Sequence, residues 1–242
     1  MVMQSNTKSI KPLLAAAGTL DEVLTLGLQQ LEGPAVFSTS FSKEDQLILE
    51  AISRLGLPVH VFTLDTGRLF PETYRLWTES LSRFGLPIKP YYPDTAELEG
   101  MVSAAGPDLF YSSIENRQRC CTVRKVHPLK RALQGKKLWL TGIRAAHSPN
   151  RSTLEMLEYD EAHELHKFHP LLHWSDRQVD EELQRLSIPC NALYDRGFLS
   201  IGCAPCTRAV SAGEDVRAGR WWWEEEGKKE CGLHQRTNRP IV

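Results

Sequence analysis

Three observations predict an α/β protein with a mostly parallel, twisted sheet flanked by helices. Short β-rich runs alternate with helical stretches between residues 35 and 141, each run empties into a polar turn, and no internal repeat or low-complexity stretch interrupts them.

Residues 12–31 read as a first helix, with Leu20, Val23, Leu24 and Leu28 on one face. The apolar run Ala35-Val36-Phe37 is a first strand, and it enters the polar turn Ser38–Asp45. A helix with Leu47, Ile48, Ala51, Ile52 and Leu55 on its apolar face follows, closed by Gly56. Pro58–Leu64 is the next strand, Asp65-Thr66-Gly67 a turn, and Pro71 stands in the first turn of a helix through Phe84. Pro87–Tyr91 and Lys137–Thr141 are two further strands. In such architectures ligands sit beyond the carboxyl ends of the strands, so Ser38–Asp45, Asp65–Gly67 and Gly142–Arg151 are expected to line one mouth. After about residue 190 the alternation breaks down among glycines and charged runs. The reading is one structural domain, 1–206, with 207–242 docked on it as a mobile tail.

Composition narrows the function. The chain has 242 residues, 41% hydrophobic and 24% charged, with a formal charge of −1. That suits a globular protein and gives no general affinity for nucleic acid or an anionic membrane. No stretch approaches the roughly 20 apolar residues of a membrane span, and the run Leu13–Ala17 is too short for a signal peptide's core. A cytoplasmic location is expected. In that reducing compartment the six cysteines point to metal binding or catalysis rather than to structural disulfides.

Four cysteines form two close pairs, Cys120-Cys121 and Cys203-Ala204-Pro205-Cys206. Four thiolates match a [4Fe–4S] cluster or a zinc site, and buried cysteines without a metal are a third reading. Adjacent cysteines sit awkwardly on one tetrahedral zinc, whereas a cubane spreads its ligands over separate irons. Around the first pair, Arg117–Arg131 carries six Lys/Arg plus His127 and no acid. Such a block suits a small anion, although Lys130 and Arg131 fit an ordinary solvated helix face. The turn Ser38–Asp45 can hold a phosphate through hydroxyls and backbone N–H groups, or it can simply cap a helix through Ser42. Near the C-terminus, Cys231 follows Lys228 and Lys229 and precedes His234, surroundings that favour its thiolate and a nucleophilic role. Cys190, after Pro189, reads as buried filler.

Taken in order, these segments resemble the bacterial APS/PAPS reductase family in its cluster-containing branch. The resemblance runs from Ser38 to His234. It is carried by Leu64–Thr73, by Arg119–Val126, by Gly202–Cys206, and by Gly219–Glu224 leading into Lys229–His234. It implies an adenine-nucleotide-hydrolase-like fold of the PP-loop type with a catalytic C-terminal tail. By the same resemblance Cys120, Cys121, Cys203 and Cys206 are ligands of a [4Fe–4S] cluster, and Cys231 is the nucleophile. Lys125 links cluster and substrate. Ser40 and Ser42 lie on the modified pyrophosphatase loop, Leu64, Asp65, Thr66 and Gly67 on the adenosine side, and Arg144 and Arg151 on an arginine loop. Arg217 and Arg220 are substrate-holding tail arginines. The loop Ser40–Asp45 is a residue short of the family pattern, with Lys43 where small residues are usual.

The implied activity is reduction of adenosine 5′-phosphosulfate (APS) to sulfite and AMP in sulfate assimilation and cysteine biosynthesis, through a thiosulfonate on Cys231. The chain ends eight residues after His234 with no thioredoxin-like domain, so a separate thioredoxin is the expected electron donor. A homo-oligomer, dimer or tetramer, is compatible with it. The alternatives are a PAPS or dual APS/PAPS reductase and, more distantly, a PP-loop ATP-dependent thiolase or an iron–sulfur redox sensor. Four cluster cysteines favour APS within the family. A thiolase would show an intact glycine-rich loop, and a sensor would leave Cys231 and the tail arginines unexplained.

Overall fold

The structure is a computed structural model and describes residues 10–147 and 153–224. The chain divides into two compact units. The first comprises Met1–Phe62, Arg75–Lys89 and Gly135–Asn191; the second comprises Thr63–Tyr74, Pro90–Gln134 and Ala192–Val242.

A six-stranded sheet runs in the order β3-β2-β1-β4-β6-β5. Its strands are β1 (Ala35–Thr39), β2 (Val59–Leu64), β3 (Ile88–Tyr91), β4 (Leu138–Leu140), β5 (Leu157–Asp160) and β6 (Leu165–Phe168). Strand β4 pairs in parallel with β1, Ala35 opposite Leu138, and with β6, Leu138 opposite His166. Strand β5 closes the edge antiparallel to β6. The four expected strands are all present, and the α/β class with a sheet flanked by helices is observed.

Helix α1 (Leu20–Gln30) is shorter than expected, because the predicted helix over 12–31 is interrupted at Gly18-Thr19. Thr19 accepts the Glu22 N–H at 3.2 Å while the Glu22 carboxylate accepts the Thr19 N–H, also at 3.2 Å. This reciprocal cap starts a new helix and ends the old one. Helix α2 (Lys43–Arg54) follows β1, and α3 (Pro71–Phe84) follows β2. Helix α2 presses Leu47, Ile48, Leu49 and Ile52 into the first unit's core beside Phe37, Leu140 and Phe168, all buried. Each such side chain contributes roughly 1.5–3 kcal/mol relative to exposure. Helix α7 (Asp176–Arg185) belongs to the same unit.

In the second unit, α4 (Thr95–Ala105) precedes α5 (Ile114–Cys121), a π-helical turn (Thr122–Val126) and α6 (His127–Leu133). The wide turn has a local cause. Pro128 lacks an N–H for the Arg124 carbonyl, and its ring would crowd that carbonyl in an α-helix. The His127 N–H accordingly donates five residues back, to the Thr122 carbonyl. Met101, Leu109, Phe110, Val123 and Trp221 form this unit's core, together with Cys120 and Cys206. Among the described residues no helix is long and apolar enough to cross a membrane.

Candidate functional site

In the first unit the turn after β1 is organised around one carboxylate. Asp45 Oδ2 accepts the Ser40 N–H at 2.7 Å, the Ser40 hydroxyl at 2.9 Å and the Ser42 N–H at 3.3 Å. Ser42 caps α2, its hydroxyl accepting the Asp45 N–H at 3.2 Å. The capping role weighed for Ser42 is therefore present. Three donors of this turn, the Ser40 N–H and hydroxyl and the Ser42 N–H, are thus engaged by the chain's own carboxylate, while the Ser42 hydroxyl acts as an acceptor and is not among them. Phe41 holds φ at 62°, and its buried ring stacks on Trp77 at 5.7 Å. Burial pushes the Asp45 carboxyl up to about 6, with the Glu44 charge adding to it and the Ser40 and Ser42 hydrogen bonds opposing.

The loop after β4 meets this turn. A Cβ on Gly142 would stand 2.2 Å from Asp45 Oδ1 and 3.1 Å from Glu44 Cβ, so only glycine permits the approach. Arg144 is 2% exposed, and its Nε donates to Glu44 Oε1 at 2.7 Å. It also bonds the Trp174 carbonyl at 3.0 Å and pairs with Asp176. Below the loop, the Thr141 hydroxyl meets His169 Nδ1 at 2.7 Å. Arg151 lies outside the described residues.

In the second unit the turn after β2 is braced by Asp65. Its Oδ1 accepts the Gly67 N–H and the Tyr74 hydroxyl, each at 2.8 Å. Gly67 has φ of 69°, which suits glycine. Leu64 ends the strand, half-buried. Thr66 is the hub of this turn. Its Oγ1 contacts Cys203 Sγ at 3.3 Å and accepts the Arg68 N–H at 3.2 Å, while its carbonyl accepts Arg124 Nη1 at 2.6 Å. The Ala204 N–H donates to the Arg68 carbonyl at 2.8 Å, so the second-strand turn and the CxxC turn are joined directly.

The cysteine pairs differ from expectation. Among the described residues no group of three or more His, Cys, Asp or Glu side chains could hold a metal ion, which overturns the expected [4Fe–4S] cluster on Cys120, Cys121, Cys203 and Cys206. Cys120 and Cys121 are consecutive on a helix, so their side chains diverge by about 100°. Burial pushes the Cys120 thiol above its ordinary range and the Cys206 thiol up to about 12. Cys203 behaves differently. Burial raises it, but the Lys125 charge, the Thr66 hydrogen bond, Arg220 and Arg124 outweigh this and leave it lowered. Cys190 is exposed rather than buried. Cys231 lies outside the described residues.

Lys125 and Arg124 stand on the π-helical turn, a rare element enriched at functional sites that hydrophobic periodicity does not disclose. Arg217 is half-buried, and its carbonyl accepts the Arg220 N–H at 2.9 Å. Arg220 lies over the Trp221 ring at 4.8 Å, against Gly202, where a Cβ would come within 2.3 Å of its Nη2. The second unit thus brings Lys125, Arg124 and Arg220 around Cys203, an electropositive setting for an anion.

Residues 34–209 match the family model for the phosphoadenosine phosphosulfate reductase domain. The chain belongs to that family. It is an oxidoreductase acting on a sulfur-containing substrate. An adenosine 5′-phosphosulfate reductase of Allochromatium vinosum is 47% identical over 90% of this chain and 85% of its own length. One from Rhizobium meliloti is 47% identical over 84% of this chain and 77% of its own. Among solved structures, a phosphoadenylyl-sulfate reductase of Candida auris in a phosphate complex superposes with a TM-score of 0.69 and 28% identity. It covers 83% of this chain and 96% of that one.

Proposed function

We propose that this member of the family reduces adenosine 5′-phosphosulfate to sulfite and AMP for sulfate assimilation, in the cytoplasm, with thioredoxin as donor. The likeness to the Allochromatium vinosum reductase along nearly the whole chain carries the reading. The cationic surroundings of Cys203 in the second unit support an anionic substrate.

In this reading the Cys231 thiolate attacks the sulfate sulfur. The sulfur–oxygen bond to the phosphate breaks, AMP leaves with that electron pair, and Cys231 carries an S-sulfonate. A thioredoxin thiolate then attacks Cys231 Sγ and expels sulfite, and the second thioredoxin thiol resolves the mixed disulfide. The two electrons come from thioredoxin. Lys125, Arg217 and Arg220 bind the non-bridging oxygens, which is electrostatic positioning rather than proton transfer. Leu64, Asp65, Thr66 and Gly67 serve the adenosine, and Ser40 and Ser42 the phosphate side. Arg144 and Arg151 belong to the arginine loop. Arg144 contributes once a substrate oxygen replaces Asp176, the exposed member of its two carboxylate partners. Residues 207–242 serve as the segment that delivers Cys231.

The second reading is the 3′-phosphorylated substrate, which the Candida auris structure favours. Sulfite release from each nucleotide with reduced thioredoxin decides between them. A kcat/KM at least tenfold higher for adenosine 5′-phosphosulfate is expected, a difference of about 1.4 kcal/mol. A tenfold preference for the 3′-phosphorylated form overturns the assignment.

A further inference from the structure

We infer that the buried ion pair between Arg117 and Glu224 is a positioning device that fixes the base of the Cys231 segment. The inference rests on the reading of Cys231 as nucleophile and goes beyond it, naming residues that aim the thiolate without touching substrate.

Arg117 and Glu224 side chains are 1% and 3% exposed. Arg117 Nε donates to Glu224 Oε1 at 2.7 Å and Nη2 donates to Oε2 at 2.9 Å, a two-point clasp with one geometry. The same guanidinium lies over the Trp221 ring at 4.7 Å, and Arg220 lies over that ring at 4.8 Å. Trp221 is 1% exposed and holds φ at 43°, a conformation that a large side chain keeps only where its surroundings impose it. Its backbone N–H donates to the Cys206 carbonyl at 3.2 Å, and its backbone carbonyl accepts the Glu224 N–H at 2.9 Å. The chain is therefore gripped at Trp221 and again at Glu224, and Cys231 follows seven residues later. Seven residues span at most roughly 25 Å when fully extended, so the clasp bounds where the thiolate can go.

Stability alone is a poor account of this pair. Apolar residues of similar volume commonly serve a buried position as well as an ion pair does or better. Trp223 and Phe110 stand 6.2 Å apart close by and would supply an apolar surround. What the bidentate charged pair adds is a single fixed geometry for Glu224 itself, the last residue before the segment that carries Cys231.

The test uses full-length protein with Glu224→Gln, Arg117→Lys, and the double variant Arg117→Met/Glu224→Leu, which removes the pair without leaving a lone buried charge. Melting temperature, dissociation constant for adenosine 5′-phosphosulfate, and single-turnover AMP release at saturating nucleotide are measured on each. Folded double variant is expected to bind nucleotide within threefold of wild type while AMP release slows at least tenfold. Arg117→Lys, keeping one charged contact, is expected to fall between. AMP release within twofold of wild type in the folded double variant overturns the inference and leaves the pair a purely structural element. Cys231→Ser runs in parallel. Sulfite release by that variant overturns the nucleophile reading itself, a failure distinct from an unaffected double variant.

Discussion

The Asp45 carboxylate accepts both the backbone N–H and the hydroxyl of Ser40, at 2.7 and 2.9 Å, and so fills the turn after β1 from within. A carboxylate in that place fixes the turn without any ligand, and it does so at an electrostatic cost. Burial outweighs the hydrogen bonds, raising the folded-state value to about 6 from 3.8 in an unstructured chain.

Stability should therefore depend on pH with a definite sign. Between about pH 4 and pH 6 the folded chain holds more of the Asp45 proton than the unfolded chain does. The contribution is complete below about pH 4 and is lost as pH rises through 6, a span worth roughly 3 kcal/mol. Asp45→Asn cannot ionise. Urea denaturation from pH 4 to pH 7 should show the variant gaining on wild type as pH rises, with the gain levelling off above pH 7. A difference between the two proteins that stays constant with pH would refute the assignment to Asp45.

Thr141, just after β4, and His169, just after β6, provide a second test. His169 accepts or donates through Nδ1 to the Thr141 hydroxyl, and its backbone N–H donates to the Met156 carbonyl at 2.8 Å. It thereby ties the residue that precedes Gly142 to the chain just before β5. His169 is wholly buried and Thr141 2% exposed. His169→Ala removes the shorter of two hydrogen bonds from the buried Thr141 hydroxyl, which keeps the Ile143 N–H at 3.3 Å, and opens a cavity beside it, so a loss of about 2–4 kcal/mol is expected. His169→Asn, which can still meet the hydroxyl, should recover part of it. Equal losses in both variants, measured by urea unfolding, would mean that packing alone matters there.

Much of this was legible in the sequence, and the remainder was hidden for physical reasons. Strands such as Val59–Leu64 declare themselves because they are short runs rich in β-branched and aromatic residues between turn signals, and Ser42 and Asp45 announce a helix start by their spacing. The β5–β6 pair does not, since Glu158, Lys167 and His166 break the pattern. Lys167 is nonetheless buried, its ammonium 4.7 Å from the Trp139 ring and 3.7 Å from Asp160. The π-helical turn is invisible to periodicity, with Pro128 its only trace. The cysteine spacing suggested a metal site, but spacing says nothing of where thiols point, and the four do not assemble as ligands. Arg117 was visible only as one cation of a basic block. Its partner Glu224 stands 107 residues away, a pairing that only the folded chain discloses.

Lys125 offers a test of the cationic setting. It is the leading opponent of burial at Cys203, so removing its charge should raise that thiol. Lys125→Ala is expected to shift the alkylation profile of Cys203 to higher pH, read by mass spectrometry of the peptide containing it. The same variant should lose at least tenfold in kcat/KM while its melting temperature stays within about 2 °C, since a half-buried lysine contributes little to the fold. A collapse of melting temperature with unchanged kcat/KM per folded molecule would make the residue structural.

The sharpest expectation concerns Cys231. A thiolate must first come within bonding reach of the sulfate sulfur and later present its sulfonated sulfur to thioredoxin, which one rigid position can hardly serve. Lys228 and Lys229 precede it and His234 follows, so cationic neighbours favour the thiolate at neutral pH. A serine hydroxyl in its place stays protonated there and is a far weaker nucleophile. Cys231→Ser should bind adenosine 5′-phosphosulfate with near wild-type affinity yet release no sulfite. Wild-type protein given the nucleotide without thioredoxin should release one AMP per chain and stop. It should then carry a single added SO₃ on the peptide containing Cys231, and reduced thioredoxin should remove it as sulfite. Cys190 is the informative control, because it is exposed and thus open to adventitious modification. An adduct on Cys190 or on Cys203 in place of Cys231, or continued turnover by Cys231→Ser, would require a different nucleophile and a different account of the tail.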